Sequence, residues 1–213
     1  MKLRHLSIKQ ISYKLAWFIA NHQNESHSKK YIYYYSLQAI IGETVKSTII
    51  LLIMSMFGLL NETLICMIVF SSIRAFAGGF HANSNFKCFL YTLLIIIISC
   101  FSSIYISTKF QNTTLHYILS IICIYSAILF ISLAPKEIIN KPIISCTYRK
   151  KLKFKAIFIY LIWIVVSIVS AYSNNYTYAS IIIIASFFEA ITLTDWFHKN
   201  ALLIEKNLCL IFT

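Results

Sequence analysis

Apolar runs about as long as a bilayer is thick recur along this chain, and they restrict it to one broad class of fold. Residues 93–98 are all Leu and Ile, and residues 181–185 are Ile closed by Ala185. Of the 213 residues, 59% are hydrophobic and 12% charged; soluble domains carry about 25% charged residues. A run of roughly 18 or more apolar residues is a membrane-spanning helix, because in lipid a helix satisfies its own backbone groups.

Apolar runs at or near this length mark six spans, at residues 37–59, 63–77, 89–107, 114–134, 156–172 and 178–197. The second, at about 15 residues, is short for a hydrocarbon core of about 30 Å. No linker or shift of composition divides the chain, so residues 1–213 read as one all-α domain, a polytopic bundle of about six transmembrane helices. Ahead of the first span, Ile8, Ile11, Leu15 and Phe18 or Ile19 recur at helical spacing, with Lys9, Gln10 and Lys14 off that face. An amphipathic interfacial helix has this pattern, and so has a helix packed on the protein's own spans. Cations scattered through Met1 to Asn21 do not match a cleaved signal peptide. Tyr31, Tyr33, Tyr34 and Tyr35 cluster as an interfacial aromatic band does.

Charge sets the expected orientation. The net charge is +12, and the cations lie at the ends of apolar runs, which points to membrane topology and away from nucleic acid. The connector 135–155 carries Lys136, Lys141, Arg149, Lys150, Lys151, Lys153 and Lys155 against Glu137. With the N-terminus inside, the connectors 60–62, 108–113 and 173–177 fall outside and contain one cation, Lys109. Both termini and the stretch 78–88 are then expected at the cytoplasmic face of the cell membrane.

The six cysteines do not form a disulfide pattern, having no CxxC pair. Cys66, Cys100 and Cys123 fall inside apolar runs, while Cys146 and Cys209 lie in segments assigned to the reducing cytosol. These five read as small hydrophobes or inert thiols.

Cys88 differs in its surroundings. It ends the stretch Arg74-Ala-Phe-Ala-Gly78-Gly79-Phe-His81-Ala-Asn-Ser-Asn-Phe-Lys-Cys88. His81 and Cys88 are seven residues apart, about 10.5 Å along a straight helix and too far for a hydrogen bond. The chain between them has to turn, and Gly78 and Gly79 permit the positive φ angles that end a helix. Asn83, Ser84 and Asn85 are turn and N-cap residues, so a new helix starting near residues 84–86 places Cys88 in its first turn. A helix start and a neighbouring imidazole favour a thiolate, and free amides there can stabilise an oxyanion. His81 would act as general base and then acid.

Spacing alone leaves a second reading open, in which His81 and Cys88 are structural and the protein is a non-enzymatic transporter or scaffold. Asn83, Asn85, Glu43 and Glu189 are unranked candidates for a third, orienting residue. Glu189 and Asp195 in the last span are either functional or partners for Arg74 or Lys46. The other histidines (His5, His22, His27, His116 and His198) are scattered, so no metal and no cofactor is expected.

The element Arg74-x3-Gly78-Gly79-x-His81-Ala82-x5-Cys88 resembles the accessory gene regulator protein B (AgrB) family of Gram-positive bacteria. The resemblance extends over the whole chain, through the basic N-terminal helix, the length, and Ala134-Pro135-x4-Asn140-Lys141-Pro142 after the fourth span. It implies a membrane cysteine endopeptidase that matures a quorum-sensing propeptide (AgrD-like) with an amphipathic leader, a central cysteine and an acidic tail. By the resemblance Cys88 is the nucleophile and His81 the base, while Arg74, Gly78 and Gly79 bind substrate or support the site. It also implies cyclisation of the product to a thiolactone, contact with the lipid bilayer, and a homodimer.

Overall fold

The computed structural model describes residues 8–23, 27–80, 85–110, 112–136 and 145–201. His81, Ala82, Asn83, Ser84, Glu137, Asn140, Lys141, Pro142 and Cys209 lie outside the described residues. The chain divides into two compact units, Met1–Met56 and Phe57–Thr213.

In the first unit, α1 (Ile8–His22) packs on α2 (His27–Ser55). The buried face of α1 is Ser12, Ala16 and Ala20, a stripe of small residues at every fourth position that lets two helices approach closely. The larger apolar residues Ile8, Leu15, Trp17 and Phe18 are exposed, as suits contact with lipid. Lys30 lies over the Trp17 ring at 4.4 Å, and Tyr13 meets Tyr34 edge-on at 6.1 Å. Helix α2 starts ahead of the expected residue 37 and takes in the tyrosine band.

The second unit contains α3 (Leu60–Ala77), α4 (Asn85–Lys109), α5 (Asn112–Leu133), α6 (Cys146–Tyr172), α7 (Tyr176–Thr192) and α8 (Asp195–Ala201). Helix α7 is its axis, packing on α3, α4, α5 and α6. Every residue of 179–186 is buried, the mark of a helix that is apolar all round and enclosed by others. Ala179, Ser180, Ala185, Ser186 and Ala190 keep it slender enough for four neighbours. Polar links join the helices: Ser167 donates to the Ala179 carbonyl at 3.0 Å, Tyr160 to the Cys123 carbonyl at 2.7 Å, and Trp163 Nε1 to Ser72 Oγ at 2.8 Å.

Five helices, α2 to α6, are long and apolar enough to cross a membrane; α7 and α8, bent by 76°, make a sixth span if taken together. The protein is therefore a multi-pass, all-α membrane protein. Three further boundaries differ from expectation, besides those of α2. The break before α3 falls at residues 56–59, where Gly58 has φ +71°, so Asn61 and Glu62 belong to α3's first turn and that span lengthens to 18 residues. Helix α6 starts at Cys146 under a Ser145 N-cap, making Arg149 to Lys155 helical. The last apolar helix stops at Thr192, and Asp195 begins α8 beyond the bend.

Candidate functional site

The last turn of α3 leads into the glycine pair. Gly78 N–H donates to the Arg74 carbonyl at 3.0 Å, with φ +79°, and Gly79 follows with φ +137°. Each glycine is required for two reasons. Both conformations are rare for residues with a side chain, and both positions are crowded. Lys136 N–H donates to the Ala77 carbonyl at 2.8 Å, so a Cβ at Gly78 would collide with the Lys136 backbone. A Cβ at Gly79 would lie 2.9 Å from Thr192 Oγ1, 3.1 Å from Glu189 Oε1 and 3.3 Å from Arg74 Nη1.

Arg74 joins these parts. Its Nη1 is 3.4 Å from Glu189 Oε2, and its Nη2 donates to the Phe80 carbonyl. The Glu189 side chain has no exposed surface, and its Oε1 has no hydrogen-bond partner among the described residues. Phe80, also buried, packs edge-on against Tyr91 (5.4 Å), Phe197 (5.6 Å) and His198 (5.3 Å). Residue 80 is thus held by its carbonyl on one side and its ring on the other.

Cys88 sits in the first turn of α4, as expected, and is half-buried. With Arg74, Phe80, Thr92, Ile95 and Thr192 it lines a narrow cleft. The described residues therefore gather Arg74, Gly79, Cys88, Glu189 and Thr192 at one end of the second unit. His81, which directly follows Phe80, lies outside them.

Helix α8 closes over this end. Lys136 Nζ pairs with the Asp195 carboxylate, and that hydrogen bond and charge hold the carboxyl below its ordinary range. His198 Nε2 is 3.0 Å from the Thr192 carbonyl oxygen. Partial burial, helped by the charge on Lys136, lowers the His198 pKa and favours the neutral ring.

Of the four candidate orienting residues, Glu189 stands against Arg74 and Gly79. Glu43 pairs with Lys46 at 2.7 Å within α2. Sequence spacing does not single out Phe80, Thr192, Lys136 or His198 as site residues. Thr192 carried a weak signal, three residues after Glu189 on the same helix, but nothing in the sequence ties Lys136 to Ala77.

The accessory gene regulator B family model matches residues 12–193, a stretch containing every residue of this cluster except His198, Phe197 and Asp195. The chain belongs to that family. Among relatives named for their likeness to AgrB, protein 2 of Clostridium perfringens strain 13 is 28% identical over 188 residues, 85% of this chain and 86% of its own. A protein of C. perfringens strain SM101 is 27% identical over 177 residues, 80% of this chain and 81% of its own. One from Clostridium acetobutylicum is 27% identical over 124 residues, 58% of this chain and 56% of its own. No solved structure matches. Family and helices together make this a membrane-embedded protein of the accessory gene regulator system.

Proposed function

We propose that the protein is a membrane cysteine endopeptidase that removes the C-terminal tail of an AgrD-like propeptide and allows the remainder to close as a thiolactone. The observation that carries this reading is the half-buried Cys88 in the first turn of α4, sharing a cleft with Arg74 and Thr192. The chemistry is acyl transfer between thiolates. Cys88 Sγ attacks the scissile carbonyl, with the His81 imidazole taking the thiol proton and returning it to the departing amine as the C–N bond breaks. The amides of α4's first turn are the candidate donors to the oxyanion. The substrate's own cysteine then attacks the acyl-enzyme, forming the ring thioester and releasing Cys88 as thiolate.

The second transfer exchanges one thioester for another and is nearly balanced. The first converts an amide to a thioester and runs uphill, so removal of the products has to draw it forward. Water must be kept from the acyl-enzyme, which the enclosed cleft at the end of the bundle favours. The exposed apolar residues of α1 would meet the propeptide's amphipathic leader on the membrane surface, and the cations of α6's first turns would meet its acidic tail. On the charge asymmetry of the sequence, this end would face the cytoplasm.

Cys88→Ala and His81→Ala, expressed at parental levels with an AgrD-like propeptide, are each expected to stop tail cleavage. Cleavage at the parental rate by either variant would overturn the His81–Cys88 dyad and leave those two residues structural.

A further inference from the structure

We infer, resting on the protease reading above, that Glu189 is a positioning residue of the site. It fixes Arg74 so that Arg74 fixes the main chain at Phe80, directly before His81. A fully buried carboxylate in the enclosed helix α7 is costly to keep without a specific partner. Glu189 Oε2 has one, Arg74 Nη1 at 3.4 Å.

A bond that served only to join α3 to α7 would end there, since those helices already pack together through an apolar interface. Arg74 goes further. Its second arm, Nη2, reaches the Phe80 carbonyl, which belongs to neither helix. Only a planar fork with two separately directed nitrogens makes both contacts at once; a lysine ammonium is a single point. Gly79 fits the same arrangement, since its missing Cβ leaves the space in which Glu189 Oε1, Arg74 Nη1 and Thr192 Oγ1 converge. Glu189 Oε1 is itself buried without a partner among the described residues, an acceptor that a simple helix-to-helix ion pair would not need. Cys88 lines the same cleft as Arg74 and Thr192, so the clamp stands beside the nucleophile.

Such a clamp acts on the rate of acyl-enzyme formation and not on substrate capture. The test uses the full chain in membranes with a co-expressed AgrD-like propeptide, and then kinetics on the purified pair in liposomes. Arg74→Lys keeps a cation beside Glu189 but removes the second arm; Glu189→Gln keeps the shape and removes the charge. Each is expected to lower kcat, referred to the folded fraction, at least tenfold with KM unchanged, and the double variant to be no worse than the poorer single. Should Glu189→Gln fail to accumulate, Arg74→Lys carries the test alone. A kcat within threefold of the parent, or a loss that only follows the folded fraction or KM, overturns the inference. Cys88→Ala run in parallel separates the two claims: if it still cleaves, the protease reading falls, whereas an inactive Cys88→Ala beside a fully active Arg74→Lys removes the clamp alone.

Discussion

At the scale of single residues, the glycines of this chain are not equivalent. Gly79 combines φ +137° with a would-be Cβ 2.9 Å from Thr192 Oγ1, whereas Gly42 lies in α2 with nothing within 4 Å. Gly79→Ala is therefore expected to destabilise the protein by about 1–3 kcal/mol and to depress cleavage. Gly42→Ala is expected to be neutral or to stabilise by up to about 1 kcal/mol. Thermal unfolding of the purified variants in detergent measures both. The glycine pair was legible as a helix stop because two adjacent glycines inside an apolar run have few other uses. Its neighbours were not. Glu189 and Arg74 are 115 positions apart, and the sequence offered Arg74 or Lys46 as equal structural partners for the acid. Three dimensions decide for Arg74 and show Lys46 engaged with Glu43.

At the scale of elements, α7 and α8 have opposite demands. Helix α7 is buried on all sides, so its small residues are limits on volume: Ala185→Leu is expected to cost about 1–3 kcal/mol through overpacking, read as a lowered melting temperature. Helix α8 is held by two titrating contacts, Lys136–Asp195 and His198 on the Thr192 carbonyl. Both groups have folded pKa values below their ordinary ones. The stability each contributes is complete above its ordinary pKa and is lost as pH falls through the folded value. Acidification from about pH 8 to about pH 5 should thus lower the melting temperature, and His198→Gln should flatten the decline through the range where histidine titrates. The Asp195 contribution is small, because its carboxylate is 78% exposed. An unchanged slope in His198→Gln would contradict this account of α8. These two elements were the least legible. Hydropathy does not distinguish an isoleucine buried in protein from one facing lipid, so the axial helix looked like any other span. The apolar character of Leu193, Trp196 and Phe197 carried the expected span past the bend at Thr192.

At the scale of the whole molecule, the number of apolar helices, the all-α class and the family were legible early, because lipid allows few backbone solutions and the Arg74-to-Cys88 spacing is distinctive. The basic stretch before the fifth span has the sequence of a connector, since cations suit a cytoplasmic loop as well as the first turns of a helix; the Ser145 cap on the Tyr148 N–H starts a helix there. The positive-inside pattern predicts that Asn174→Cys, between α6 and α7, is labelled by a membrane-impermeant maleimide in intact cells, while Cys88 is labelled only after permeabilisation. The reverse pattern would invert the topology and move the site away from a cytoplasmic substrate. The most direct test of the central claim is to trap the acyl-enzyme. With a propeptide whose own cysteine is replaced by alanine, the second transfer is blocked, and mass spectrometry should find the tail-less peptide attached through a hydroxylamine-labile bond to the fragment containing Cys88. Tail cleavage without any adduct in a Cys88→Ala protein, or an adduct on a different cysteine, would contradict it.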